Sequence, residues 1–251
     1  MTDTTTPDGG RRRCIIEGVW PEVDCGRYPA KRILGDDVVV EADVFGDGHE
    51  HVTAVLQYRK VADEHAAPRS PSPRPPLSPS RKGHDEPAPP ESRWAEVPMI
   101  PTGNDRWRAS FRADALGMWE FAVVGWMDPW QTWCADMAKW LRAGRDVPLH
   151  LAIGADLLDA AAARAREAGR QADARLLDER AALLRDESVD PAERAARAMT
   201  ETVREHMRAN ADRSNAARYP ASNSSSSSTR GALRVWVDRE RAAFSAWYEL
   251  F

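Results

Sequence analysis

Residues 37–59 read DVVVEADVFGDGHEHVTAVLQYR, and their alternation decides the fold class. Val38, Val40, Ala42 and Val44 alternate with Val39, Glu41 and Asp43; beyond Gly46-Asp47-Gly48, Val52, Ala54, Leu56 and Tyr58 alternate with Thr53, Val55, Gln57 and Arg59. Successive side chains of a strand point to opposite faces, so this period of two turns one apolar face of each segment toward a core. The glycine-flanked reversal predicts that the two strands pair antiparallel. Upstream, CIIEGVWPEV over 14–23 is strand-like and runs into the turn residues Asp24-Cys25-Gly26-Arg27-Tyr28-Pro29.

Downstream, residues 62–93 hold nine of the 18 prolines among serines and balanced charge, and such a segment cannot bury enough apolar surface to offset its ordering entropy. A disordered loop is expected there. Strand character resumes with RWAEVPMI from Arg93, a turn at Pro101-Thr102-Gly103-Asn104-Asp105, then RWRASFRA and MWEFAVVGWMD. Seven of the ten tryptophans fall between Trp94 and Trp140, which suits either a sugar-stacking platform or a compact core. Trp107, Ala109 and Phe111, and again Trp119, Phe121 and Val123, alternate along their strands, which favours the core. Short strands separated by turn signals predict an antiparallel, immunoglobulin-like β-sandwich over 14–131 plus 230–240, the last part because Leu233, Val235 and Val237 alternate once more.

After Thr132 the period becomes helical: Trp133, Met137, Trp140 and Leu141 stand at i, i+4, i+7 and i+8. From Ala155 to Arg213 the chain is rich in alanine, leucine and charge, with 13 acidic and 11 basic residues interspersed, so three or four helices are expected in a bundle inserted over 132–215. Gly169 reads as a helix stop; Asp190-Pro191-Ala192-Glu193 reads as a start, with Asp190 as N-cap, Pro191 at the first helical position and Glu193 closing a capping-box-like pair. A serine-rich linker is expected over 216–229, a disordered N-terminus over 1–13, and an α+β class overall.

The totals exclude several functions. With 35 basic and 39 acidic residues the formal charge is −4, so no basic field points to nucleic acid or an anionic membrane. The opening MTDTTTPDGGRRR lacks a signal peptide's apolar stretch and no run is long enough to span a bilayer, so a cytoplasmic protein is expected. Cys14, Cys25 and Cys134 have neither CxxC spacing nor paired histidines nearby, which predicts reduced thiols. His49 and His51 share a strand face and can share a metal, but spacing supplies no third ligand, and a polar hairpin turn is the favoured reading of Asp47, His49, Glu50 and His51. Asp36, Asp37 and Asp47 read as acidic turn residues, since paired catalytic carboxylates must face each other across a cleft. Gly46-x-Gly48 lacks the third glycine and βαβ setting of a nucleotide loop, and no GxSxG or P-loop occurs. The residues therefore yield no catalytic, cofactor-binding or metal site, and no cofactor.

Three stretches carry a resemblance: Val19-Trp20-Pro21-Glu22-Val23-Asp24-Cys25-Gly26-Arg27-Tyr28-Pro29-Ala30-Lys31-Arg32, Ala42 to His49, and Pro98 to Trp107. With Gly125-Trp126-Met127-Asp128, Thr132-Trp133, Lys139, Ala143-Gly144-Arg145-Asp146-Val147 and the closing RERAAFSAWYELF, they resemble the amino-terminal region of the α-1,4-glucan:maltose-1-phosphate maltosyltransferases, in the same order. Cys25 stands where the family usually has glycine, at a turn that benefits from positive φ, and Trp119 where it more often has tyrosine. The resemblance implies a retaining enzyme of the α-amylase superfamily, whose β-sandwich with helical insertion precedes a catalytic β/α barrel. It implies that the barrel moves maltosyl units from α-maltose 1-phosphate to the non-reducing end of a glucan, and that the amino-terminal region helps build a homodimer. Residues 241–251, ending on Trp247-Tyr248-Glu249-Leu250-Phe251, are expected to lead into a barrel absent from this chain, which alone would be inactive. The alternative is a stand-alone carbohydrate-binding or interaction module without catalysis.

Overall fold

The computed structural model describes residues 13–61, 93–221 and 231–243. The N-terminal tail to Arg12, the proline-rich segment over 62–92, the serine run within 222–230 and the apolar ending over 244–251 lie outside the described residues. Ten strands and five helices follow in the order β1 (Cys14–Trp20), β2 (Ala30–Ile33), β3 (Asp37–Gly46), β4 (Val52–Lys60), β5 (Ala95–Pro98), β6 (Ile100–Gly103), β7 (Arg106–Arg112), β8 (Gly117–Met127), α1 (Pro129–Arg142), α2 (Pro148–Glu167), α3 (Gln171–Arg185), α4 (Pro191–Ala198), α5 (Glu201–Ala209), β9 (Ala217–Tyr219) and β10 (Leu233–Asp238). A 3₁₀ turn over Glu240–Ala243 closes the described chain. No helix among the described residues is long and apolar enough to cross a membrane.

The chain divides into two compact units, one on Ile16–Val44, Ala54–Val124 and Arg218–Phe251, the other on Met1–Ile15, Phe45–Thr53 and Gly125–Ala217. The strands form a four-stranded sheet in the order β1-β3-β7-β6 and a six-stranded sheet in the order β2-β10-β8-β4-β5 with β9 on β8. The second sheet is mixed rather than purely antiparallel, because β10 runs parallel to β2, pairing Val235 with Ala30 and Val237 with Arg32.

Alternation placed the faces of β3 correctly: Val38, Val40 and Ala42 are fully buried and Val44 nearly so. It misplaced the partner. β3 pairs with β7, Val38 opposite Phe111 and Val40 opposite Ala109, while β4 belongs to the other sheet, so residues 47–51 carry the chain from sheet to sheet instead of closing a hairpin. A period of two specifies which face is apolar and leaves open which strand lies alongside. The true hairpin turn is at Asn104 and Asp105, both at positive φ (49° and 59°), as a two-residue type I′ reversal between β6 and β7 requires. Of the stretch 101–105 read as turn, Pro101 to Gly103 instead pair within β6, with a register shift between Pro101 and Gly103.

In the sheet unit, Tyr58 of β4 stacks on Phe111 of β7 with centroids 4.5 Å apart and planes 9° from parallel. Trp119 of β8 joins them at 5.6 Å from Phe111, so the two sheets contribute to one aromatic layer. Trp119 is buried and donates its indole N–H to the Ala115 carbonyl at 3.0 Å, a core position that accepts either tyrosine or tryptophan. Cys25 sits at φ 51°, the left-handed conformation that costs a non-glycine residue about 1 kcal/mol.

Helix formation begins at Pro129, three residues before the period change was read, because Asp128 caps it: its carboxylate accepts the Gln131 N–H at 3.0 Å. Gly169 ends α2 as expected, at φ 73°, with its N–H on the Arg166 carbonyl and the Arg170 N–H on the Ala165 carbonyl, the two bonds of a Schellman motif. Asp190 caps α4 through the N–H groups of Ala192 and Glu193, but Glu193 pairs with Arg197 one turn on, so the reciprocal half of the capping box is replaced by an i,i+4 ion pair. Ala217–Tyr219, read as linker, pair as β9 with β8.

The helices share one core in which small residues set the spacing: Ala161, Ala162 and Ala165 of α2 lie with Ala174 and Ala181 of α3. Gly154 lets α2 approach α1, since a Cβ there would lie 2.4 Å from Cε2 and Cζ2 of Trp133, whose indole N–H is fixed on the His150 carbonyl at 2.6 Å. Helix propensity alone would make Gly154→Ala stabilising by about 1 kcal/mol. Overpacking a fixed indole reverses that sign, and urea unfolding of the variant should show a loss of about 1–3 kcal/mol; a gain would contradict this packing.

Candidate functional site

The carboxylates singled out as possible ligands or acids, those of Asp36, Asp37, Asp47 and Glu50, have structural partners. In the connection from β3 to β4, Arg13 holds Asp47 at 2.9 Å and Glu50 at 2.5 Å. The His51 backbone donates to Thr132 Oγ1 at 2.9 Å, and its carbonyl accepts the Asp128 N–H at 2.7 Å. The polar-turn reading of this segment therefore has a concrete form. No group of three or more His, Cys, Asp or Glu side chains could hold a metal ion among the described residues. Asp36 accepts the Ile33 N–H at 3.0 Å to close a turn, and Asp37 pairs across strands with Arg112 at 3.4 Å. Burial pushes the Cys14 thiol up to about 11 and the Cys134 thiol up to about 12, which keeps both protonated and unreactive at neutral pH; Cys25 is exposed.

What the helical unit does offer is a pair of cavities around Gly125-Trp126-Met127-Asp128-Pro129-Trp130. The larger, of about 520 Å³, is bordered by Arg13, Glu50, Met127, Ser214 and Asn215; the smaller, of about 240 Å³, by Asp128, Trp130, Arg164 and Met207. Trp126, Pro129 and Asp212 line both. Asp128 is 7% exposed, and its carboxylate also accepts the Thr53 hydroxyl at 2.6 Å. That fixes the junction at which β8 gives way to α1, and with it the two indoles on either side.

The far wall depends on Asn210, 1% exposed at the end of α5. Its amide donates to Asp173 at 3.0 Å and to the His206 carbonyl at 2.9 Å; its Oδ1 accepts from Arg170 Nε at 2.9 Å and Nη2 at 2.6 Å. Its own carbonyl receives Arg164 Nε at 2.8 Å, which orients that guanidinium in the small cavity. Two residues on, the Asp212 carboxyl lies below its ordinary range, chiefly because it accepts the Ser214 N–H at 2.9 Å and then the Ser214 hydroxyl, so it is ionised at neutral pH. Arg213 places its guanidinium over the Trp126 ring at 4.5 Å. Trp130 stacks on Trp133 at 4.7 Å. The indole N–H groups of Trp126 and Trp130 are buried and, like the Nε atoms of Arg180, Arg194, Arg204 and Arg234, have no hydrogen-bond partner among the described residues.

Against known proteins, residues 12–239 match the family described as alpha-1,4-glucan:maltose-1-phosphate maltosyltransferase, domain N/S. The chain belongs to this family. The maltosyltransferase of that name from Chlorobaculum tepidum is 38% identical over 245 residues, covering 98% of this chain and 30% of the relative. That of Myxococcus xanthus is 37% identical over 237 residues (94% and 30%), and that of Mycobacterium tuberculosis 35% over 249 (95% and 32%). The chain thus spans about 30% of the length of the maltosyltransferases it matches. Within this N/S region, Asp212, Arg164 and the two orphaned indole donors carried no signal in the sequence: a residue is read as core tryptophan or surface aspartate from local pattern, and convergence on one cavity is a tertiary property.

Asn210 is the single residue on which the cavity wall depends. Asn210→Ala removes four side-chain hydrogen bonds and strips the Asp173 and Arg170 side chains of a shared partner, so urea unfolding should show a loss of about 2–3 kcal/mol. A loss below about 0.5 kcal/mol, the usual effect of a surface change, would contradict that role.

Proposed function

We propose that this chain is the non-catalytic amino-terminal portion of an enzyme that transfers maltosyl units from α-maltose 1-phosphate to the non-reducing end of α-1,4-glucans, in the cytoplasm. The match of residues 12–239 to the N/S family carries this reading. The relatives bear the name of that activity and are about three times as long as the segment they share with this chain. Retaining transfer between sugars needs a carboxylate nucleophile and a carboxylic acid on opposite sides of the scissile bond. The carboxylates of Asp36, Asp37, Asp47 and Glu50 are instead held by a backbone N–H or by arginines, in keeping with a catalytic barrel encoded elsewhere in the parent enzyme.

Its role is assembly: an immunoglobulin-like β-sandwich over 14–131 and 230–240, with the helical insertion over 132–215, supports the barrel and forms the homodimer. Sedimentation of the purified 251-residue chain should show a dimer, and the same preparation should release no phosphate from maltose 1-phosphate in the presence of maltohexaose. A strictly monomeric chain contradicts the assembly role, and turnover contradicts the non-catalytic one.

A further inference from the structure

We propose that two copies of this chain associate through the solvent-facing side of the six-stranded sheet at β2, β10 and β8, with Trp236 at the centre of the contact. This rests on the assembly role proposed above and gives that role a surface. On β10, Arg234, Trp236 and Asp238 share one face, since Leu233, Val235 and Val237 between them are buried. Trp236 is 40% exposed. Its neighbours in register are Lys31 of β2, exposed, and Met118 of β8, half-buried. In the rows on either side, Asp238 stands beside Ile33 and Arg234 beside Glu120. Leu116, also exposed, immediately precedes β8; exposed Tyr28 follows Arg27, whose carbonyl accepts from Arg234 Nη2 at 3.1 Å. Tryptophan, tyrosine, methionine and arginine are the residue types that protein–protein interfaces favour.

Single exposed apolar side chains are ordinary, so composition does not choose the occupant. The charges do. Arg234 lies two residues before Trp236 and Asp238 two after it, and neither makes an ion pair among the described residues, whereas Glu120 is held by Arg59 at 2.6 Å. The strand therefore presents a cation, an indole and an anion in line on one face. A two-fold axis lying in the interface and running across the strands sets this line against its own reverse. Trp236 then meets Trp236 at the centre, flanked by Met118, and each Arg234 faces Asp238 of the other copy in a charge-assisted pair. An axis running along the strands would set Arg234 on Arg234, and like charges in contact disfavour it. Lys31 falls at the β2 rim, where water screens it from its copy. An unrelated partner would not require one strand to carry both halves of the pairing, which is why a second copy is the occupant.

The test is sedimentation velocity of the 251-residue chain over a concentration series, with thermal unfolding of each variant to show that it folds. The unmodified chain should dimerise, and Trp236→Ala should raise the dimer dissociation constant about thirtyfold, the size of a central hot spot. Arg234→Asp and Asp238→Arg each set like charges opposite one another and should each weaken the dimer about tenfold; the double variant, which exchanges the two charges, should recover most of the original affinity. Leu149→Ser, at a 70% exposed position on α2, should leave the dimer unchanged. A dimer unaffected by Trp236→Ala overturns the proposal and leaves the assembly role standing; an unmodified chain that stays monomeric overturns both. A double variant no tighter than the single ones overturns the proposal, as does dissociation by Leu149→Ser in place of Trp236→Ala, which would move the contact to the helical unit. If Arg234→Asp does not fold, Trp236→Ala and Asp238→Arg decide together.

Discussion

Asp128 joins a strand to a helix, and the arrangement of the helical unit depends on it. Its carboxylate accepts the Gln131 N–H that caps α1 and the Thr53 hydroxyl. Its N–H reaches the His51 carbonyl, and its own carbonyl takes the N–H and hydroxyl of Thr132, which in turn receives the His51 N–H. One nearly buried residue therefore ends the period of two, starts the period of 3.6, and ties the crossing segment 47–51 to the first turn of the insertion. Burying a carboxylate is costly unless its acceptors are filled. The compensation here comes from groups that also fix Trp126 two residues before and Trp130 two residues after, and those tryptophans shape the cavities.

Much of this organisation is legible from local pattern. The faces of β3, the capped start at Asp190, the Schellman stop at Gly169 and the core role of Trp119 follow from periodicity and from the few residues that tolerate special backbone conformations. The errors are those that local pattern cannot avoid. The connection after Gly46 reads as a hairpin because glycines mark reversals, whether or not the two strands then lie side by side. Residues 101–103 read as turn together with Asn104 and Asp105 because proline and glycine outweigh a four-residue strand whose pairing lies with β7. The cavity was hidden for a related reason. Trp126 and Pro129 meet Asp212, Ser214 and Asn215 from the far end of the insertion, and no local pattern encodes that meeting.

The division of labour that emerges is a domain without reacting groups of its own among the residues first suspected, set in a family whose other members are much longer. Its polar investment lies in two places. The Asn210 network binds the end of α5 to α2 and α3 and presents Arg164 and Asp212. The Asp128 network sets the tryptophans against them.

The measurement that tests the Asp128 junction most directly is urea unfolding of Asp128→Ala, which removes the helix cap on Gln131 and the acceptor of the Thr53 hydroxyl together. The account predicts a loss of about 2–3 kcal/mol. A loss below about 0.5 kcal/mol, the usual effect of a surface change, would contradict it.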